Sequence, residues 1–456
     1  MRAVRTPRLL LRIPGVAFSF SSKTRASEQM NSTIRNIPHG PVQPYATTDD
    51  LLEWMRINFN RYGDIYQASV YGDRVYVIND LQYVDRVLLR NWRNYLRKGQ
   101  AVKRIALSLG NGLISSNGDT WVRQRRMLQP AFKSESIRLL FTRFTQATIA
   151  LRDKWRDAAS RAESVDVTHD VSLAVLKATL LAIFGDDYEA IAAEFAPIAE
   201  ESRNLEFVQL CAALRRRIVE IVNHRRARGG SAYDLIDFMM SARDRDSGEP
   251  MTDADLGRQA MTLVIAGHET TASVLNWVWH LLDEHPHIEA KLAEEIARTL
   301  GDSPLEFDGL AKFTYTNQII DEALRIYPPL WLMTRRAITD DHIGDYFVPA
   351  GTEIYISPFL LQRHPHLWEA PDEFDPERFD AETNRPALAH CPFGAGPRNC
   401  IGELFARIEM QVHLLLIARD LRLRSAASAS SEFVAGVNLL SRSHFRMNPE
   451  MRVDAS

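Results

Sequence analysis

Several groups of residues in this chain combine reactive types with a spacing that suits chemistry. The first is Phe393-Gly394-Ala395-Gly396-Pro397-Arg398-Asn399-Cys400-Ile401-Gly402, one cysteine in a glycine-punctuated loop that runs into a helical stretch. Glycines at 394, 396 and 402 allow positive φ, or close approach of a flat group, where a Cβ would intrude. Arg398, two residues before the sulfur, places a cation that favours thiolate or binds an acidic group on a ligand. Amides at a helix N-terminus would also stabilise negative charge on the sulfur. A thiolate so placed is a soft ligand for iron, and an axial cysteine makes a haem centre strongly electron-donating toward dioxygen. A lone cysteine is ordinarily a buried small hydrophobe. The glycines and arginine at fixed offsets argue for the ligand.

A second group lies inside Thr252 to His285, which reads as one long apolar helix opened by Thr252 with Asp255. In its middle stands Ala266-Gly267-His268-Glu269-Thr270-Thr271. Glycine costs about 1 kcal/mol relative to alanine in a helix, and threonine hydroxyls can bond back to carbonyls. The segment therefore predicts a widened turn with function attached. An acid beside a hydroxyl there can relay protons into an apolar pocket. His268-Glu269 also begins a zinc-protease H-E-x-x-H, but position 272 is alanine and the second histidine is missing.

Two further spacings suit carboxylate binding and ion pairing. Trp121 and Arg125, four apart, put an indole N–H and a guanidinium on one helical face. Glu322 and Arg325 are i,i+3 on a helix that ends at Tyr327-Pro328-Pro329, and Pro376-Glu377-Arg378-Phe379 follows in a proline-rich meander.

Taken together these elements resemble the cytochrome P450 family. F-x-x-G-x-R-x-C-x-G is similar to that family's haem-binding signature, and Ala266 to Thr271 resembles its oxygen-activation motif. The resemblance implies a mainly α fold with small β-sheets, with haem between the long central helix and the cysteine loop. It makes Cys400 the proximal thiolate, with Phe393 and Gly402 beside it. Ala266 and Gly267 would line the dioxygen pocket, Glu269 would feed protons, and Thr270 would hydrogen-bond the bound dioxygen. Trp121, Arg125, Arg398 and Arg335, the last favoured over Arg336, would meet the haem propionates. Glu322, Arg325 and Arg378 would form a buried structural network. Leu330, Trp331 and Leu332, with Ala266 and Val437 to Leu440, would border an apolar substrate pocket. The implied cofactor is haem b, iron protoporphyrin IX, with O2 as cosubstrate, and the implied reaction is insertion of one oxygen atom by hydroxylation or epoxidation. The rival readings are a peroxygenase or isomerase on the same cysteine loop, and a haem sensor.

Composition agrees with an ordinary globular protein: 456 residues, 45% hydrophobic and 25% charged. A net charge of -3 argues against nucleic acid as a partner. The cysteines, Cys211, Cys391 and Cys400, are too few and too odd in number for a disulfide framework. Residues 1–30 read as a basic tail or targeting segment without a transmembrane anchor, and 31–456 as a single catalytic domain, expected to be a monomer. The compartment is then bacterial cytoplasm, or the mitochondrion if residues 1–27 are a transit peptide. No flavin or ferredoxin module is evident, so electrons from NAD(P)H should arrive through a separate ferredoxin or flavoprotein. Arg123, Arg126 and Arg407 are candidates for the surface that receives an acidic partner. A small antiparallel sheet is expected near the N-terminus, with a hairpin at Gly72-Asp73 and a further strand over Glu353 to Phe359.

Overall fold

The alternating run around Gly72 and the helical periodicity downstream segregate in the computed structural model into small sheets and a large helical body. The structure describes residues 37–38, 40, 48–70, 72–199, 205–229, 233–380, 385–426 and 431–452. The basic segment of residues 1–30 lies outside them.

Helix α1 (Thr48–Tyr62) leads into the hairpin β1 (Ile65–Val70) and β2 (Asp73–Ile78). Gly72, with φ of 84°, makes the tight turn that a side chain would strain. The strands β3 (Tyr95–Leu96), β4 (Met333–Ala337) and β5 (Glu353–Ile356) complete a sheet of order β1-β2-β5-β4-β3. The expected antiparallel sheet is therefore mixed, because β5 joins β2 in parallel register, Val75 opposite Glu353 and Ile78 opposite Ile356. Strand β5 also stops short of Phe359. Pro358 has no N–H for a ladder and instead opens a single helical turn capped by Ser357.

The body comprises α2 (Gly118–Leu128), α3 (Ser134–Ser160), α4 (Val167–Phe184), α5 (Leu205–Arg228), α6 (Asp253–Glu284), α7 (Thr314–Ile326) and α8 (Glu403–Ala418). Among the described residues one segment, Val167–Ala190, has the length and apolarity of a membrane span. Most of it is buried inside the fold, as suits a core helix. A late hairpin, β6 (Phe433–Ala435) with β7 (Leu439–Ser441), completes the elements that matter here.

Helix α6 is the axis of the body and packs against α4, α5, α7 and α8. The Thr252 hydroxyl caps it by accepting the Asp255 N–H at 3.1 Å. The expected widened turn is absent, since α6 runs as uninterrupted α-helix through Ala266 to Thr271. The Thr270 hydroxyl donates to the Ala266 carbonyl at 2.7 Å, a back-bond that α-helical geometry tolerates. Near its far end Trp279 donates its indole N–H to His413 of α8 at 2.9 Å. Burial pushes the His413 pKa down to about 3, so the ring stays neutral and can accept. The helix bearing Glu269 is thereby fixed to the helix that follows Cys400.

On α7, Glu322 and Arg325 form a fully buried pair, with bonds of 2.6 and 2.8 Å. The same guanidinium donates to the carbonyls of Gln362, Pro371 and Glu373. Glu322 also accepts the Asp375 N–H at 3.0 Å and faces Arg378 Nε at 3.3 Å. Arg378 reaches on to the carbonyls of Glu369 and Ala370. Five points of the meander are thus tied to one helical turn. Replacing Glu322 with Ala strands two guanidiniums in the interior, and should cost about 3–5 kcal/mol of stability, measured by denaturant unfolding. An unfolding midpoint equal to that of the parent would contradict this role.

Candidate active site

The cysteine loop is shaped by two left-handed glycines. Gly394 has φ of 74° and Gly396 of 71°, and a Cβ on Gly396 would meet the Leu88 carbonyl oxygen at 2.1 Å. Gly402 differs, because a Cβ there would make only ordinary contacts with Phe132 and the Cys400 sulfur. Its contribution is the backbone N–H, which bonds the sulfur. The Cys400 N–H donates to the Phe393 carbonyl at 2.8 Å, closing the loop just before α8 begins.

Cys400 is solvent-accessible and yet strongly desolvated, which places its sulfur on an internal space rather than on the outer surface. Burial pushes the thiol up, opposed by the Gly402 N–H and by the Arg125 and Arg97 guanidiniums. A bound metal cation would supply what the thiolate lacks.

Above this loop lies a cluster of guanidiniums. Arg335 is 5% exposed and its pKa falls well below the ordinary arginine value through burial and the nearby charges of Arg97 and Arg398. Arg398 is pushed down to about 9 by burial and by Arg97, and one of its terminal nitrogens has no partner. Its other contacts are the Ser116 carbonyl, Asn117 and the ring face of Trp121 at 4.3 Å. Arg97, which sequence reasoning missed, bonds the Ile114 carbonyl and feels Arg125. Among the described residues no carboxylate pairs with Arg97, Arg335 or Arg398. Guanidiniums do not give up protons at ordinary pH, so the cluster calls for an anion from outside the chain. The two propionates of haem match that need.

Arg336 takes no part, since it pairs with Asp73 and Glu353. Arg125 lies on the same side as this cluster, close enough for its charge to act on Arg97 and Cys400. It grips Asn399 through the carbonyl at 2.8 Å and the side-chain oxygen at 3.0 Å, tying α2 to the cysteine loop.

On α6, a helix otherwise mostly buried, Leu263, Ala266, Gly267, Glu269 and Thr270 are only half-buried. Leu263, Ala266, Gly267 and Thr270 follow the i, i+3, i+4, i+7 spacing of one face, which therefore opens on interior space. The Glu269 carboxylate accepts the side-chain N–H of Asn438 at 2.7 Å, a residue of the Val437 to Leu440 segment that the sequence placed at the pocket but did not pair with Glu269. Trp331 is 2% exposed, donates to the Gly436 carbonyl, and packs in the core, while Leu330 and Leu332 are half-buried beside it. Packing explains the tryptophan fully.

The arginines expected to meet a partner are already occupied. Arg123 pairs with Asp244, Arg126 with Asp246, and Arg407 with Asp321 and Glu403. Replacing Arg398 with Met removes one guanidinium from the cluster and should weaken haem retention at least severalfold, measured as the rate of haem transfer to an excess of apo-globin. An unchanged transfer rate would remove Arg398 from the anion site.

The chain carries the features on which a comparison can turn, and the comparisons agree. The family described as Cytochrome P450 matches residues 38–201 and 197–432. Cyclooctatin synthase and cyclooctat-9-en-7-ol 5-monooxygenase, both of Streptomyces melanosporofaciens, are each 31% identical to it, and each comparison covers 80% of this chain and 83% of the relative. The crystal structure of the cytochrome P450DA heme domain superposes with a TM-score of 0.82 at 26% identity, over 91% of this chain and 98% of that one. With the thiolate loop, the buried cations and the fold all in one frame, this chain belongs to the cytochrome P450 family of haem-dependent monooxygenases.

Proposed function

We propose that the chain inserts one oxygen atom from O2 into an apolar small molecule, by hydroxylation or epoxidation, with electrons supplied by a separate ferredoxin or flavoprotein. When bound, the haem supplies reductive activation of dioxygen, made electron-rich by thiolate ligation. The observation that carries the reading is the open face of α6 bearing Thr270, with the half-buried Glu269 beside it, on a helix fixed to the one that follows Cys400.

Each residue has a separable task. Cys400 binds the iron, and the Gly402 N–H stabilises negative charge on its sulfur. Arg97, Arg335 and Arg398 hold the propionates and so fix the orientation of the ring. Glu269 holds a proton in reserve, and the Thr270 hydroxyl passes it on at the reacting oxygen. For that transfer the hydroxyl must leave its bond to the Ala266 carbonyl or share it. Ala266 and Gly267 keep the adjoining surface small, leaving room for dioxygen and substrate. The substrate is inferred to be a hydrocarbon or simple alcohol, in keeping with the relative named for a 5-monooxygenase acting on cyclooctat-9-en-7-ol.

The peroxygenase and isomerase readings need neither the acid nor the hydroxyl, and both are present. Thr270→Ala tests the proposal directly. Product formed per electron pair should fall about tenfold, less than the roughly 10²–10⁴-fold that a general acid–base group typically contributes. Haem content should be unaltered. Equal coupling in the variant and its parent would overturn the role given to Thr270.

A further inference from the structure

The partner of Glu269 is placed with unusual care. Asn438 sits in the turn of the β6–β7 hairpin, is 7% exposed, and directs its side-chain N–H at the Glu269 carboxylate. Three bonds fix that turn from different directions. Ser273 of α6 donates to the Leu439 carbonyl at 2.6 Å, the Leu439 N–H donates to the Pro329 carbonyl at 3.0 Å, and Trp331 donates to the Gly436 carbonyl at 2.9 Å. Across the turn the Gly436 N–H donates to the Asn438 carbonyl at 3.0 Å. A donor to a carboxylate makes one of the stronger classes of hydrogen bond, and an immobilised donor fixes direction as well as energy.

The same carboxylate borders a cavity of about 300 Å³ between α4, α6 and β7. Its wall is largely apolar, with Ile198, Phe207 and Leu440, and Ser172, His268 and His444 set hydrogen-bonding groups into it. His268, on the turn next to Glu269, lies 3.0 Å from the Ser172 hydroxyl. The volume admits several waters, and these groups together with the Glu269 carboxylate offer them hydrogen-bond partners within a mostly apolar wall.

We propose that Asn438 is a positioning residue for Glu269, holding its carboxylate at the edge of this cavity so that the acid is reprotonated from the cavity side of α6. The inference rests on the proton role given to Glu269 above and goes beyond it by naming what aims the acid and where its protons enter. Asn438 touches neither haem nor substrate in this account. It acts through the acid.

The test uses the haem-loaded full chain with three substitutions at one position. Asn438→Leu keeps the volume and removes the donor, Asn438→Gln keeps an amide donor, and Asn438→Asp replaces the donor with a like charge. Infrared spectra of the resting ferric protein, differenced against Glu269→Gln, isolate the Glu269 carboxylate stretches without any turnover. The bands should move in the Leu and Asp variants and return toward the parent position in the Gln variant. In turnover, product per electron pair should fall severalfold in the Leu variant and recover in part in the Gln variant, and the solvent deuterium isotope effect should rise in the Leu variant. A merely structural role would lower the melting temperature and leave the carboxylate bands in place. Bands unchanged in both the Leu and Asp variants would overturn the proposal. Should Glu269→Gln itself leave coupling intact, the proton role of Glu269 in the proposed function fails, whereas the infrared bands still decide whether Asn438 holds it.

Discussion

The fold of the haem-facing half depends on one ion pair that water never reaches. Burying two charges costs several kcal/mol for each ion, and only complete hydrogen bonding makes the arrangement tolerable. Glu322 and Arg325 meet that condition through each other and through the carbonyls and amide of the meander. The consequences run toward the active site. Gln362, whose carbonyl accepts from Arg325, donates its side-chain N–H to Leu324 and Arg325 and accepts the Cys391 N–H at 3.1 Å. Cys391 in turn accepts the Gly394 N–H, and Phe393 accepts that of Cys400. From α7 to the reactive sulfur there is a continuous chain of directional bonds, so the loop's position is set from outside the loop.

A second constraint is electrostatic and is left unmet by the chain's own described groups. Burial depresses Arg97, Arg335 and Arg398, neighbouring guanidiniums add to it, and their protein partners are carbonyls, an amide and a ring face. Neutral acceptors satisfy N–H geometry without cancelling charge. A dianion does both, which couples haem binding to the stability of this region. The same logic applies at the sulfur, where burial alone would keep the thiol protonated. In the proposed function, protein and cofactor would complete each other's charge at two places.

Much of this was legible in the chain because the decisive features are local. The capped helix at Thr252, the i,i+3 pair on α7 and the left-handed glycines before Cys400 each follow from spacing and backbone preference. The sequence favoured Arg335 over Arg336 without deciding between them; in the structure β4 alternates, and Arg335 shares the buried side of Met333 and Ala337. What sequence could not supply is tertiary. Arg97 has no neighbouring motif, and its environment is assembled from the β4 strand and the cysteine loop. Asn438 meets Glu269 across a long sequence separation, through a hairpin whose turn is held by other elements. The parallel pairing of β2 with β5 is non-local for the same reason. The unbroken course of α6 was misread because the threonine back-bond looked like a breaker and proved compatible with the helix.

Proton handling, partner choice and substrate all presuppose that Cys400 reaches iron as a thiolate. The reduced protein under carbon monoxide reports that bond directly, because thiolate ligation would move the Soret band far to the red of its position with a histidine ligand. The account predicts the red-shifted thiolate band in the parent chain and its loss in Cys400→Ala. A histidine-type spectrum in the parent, or an unchanged thiolate spectrum without Cys400, would contradict it.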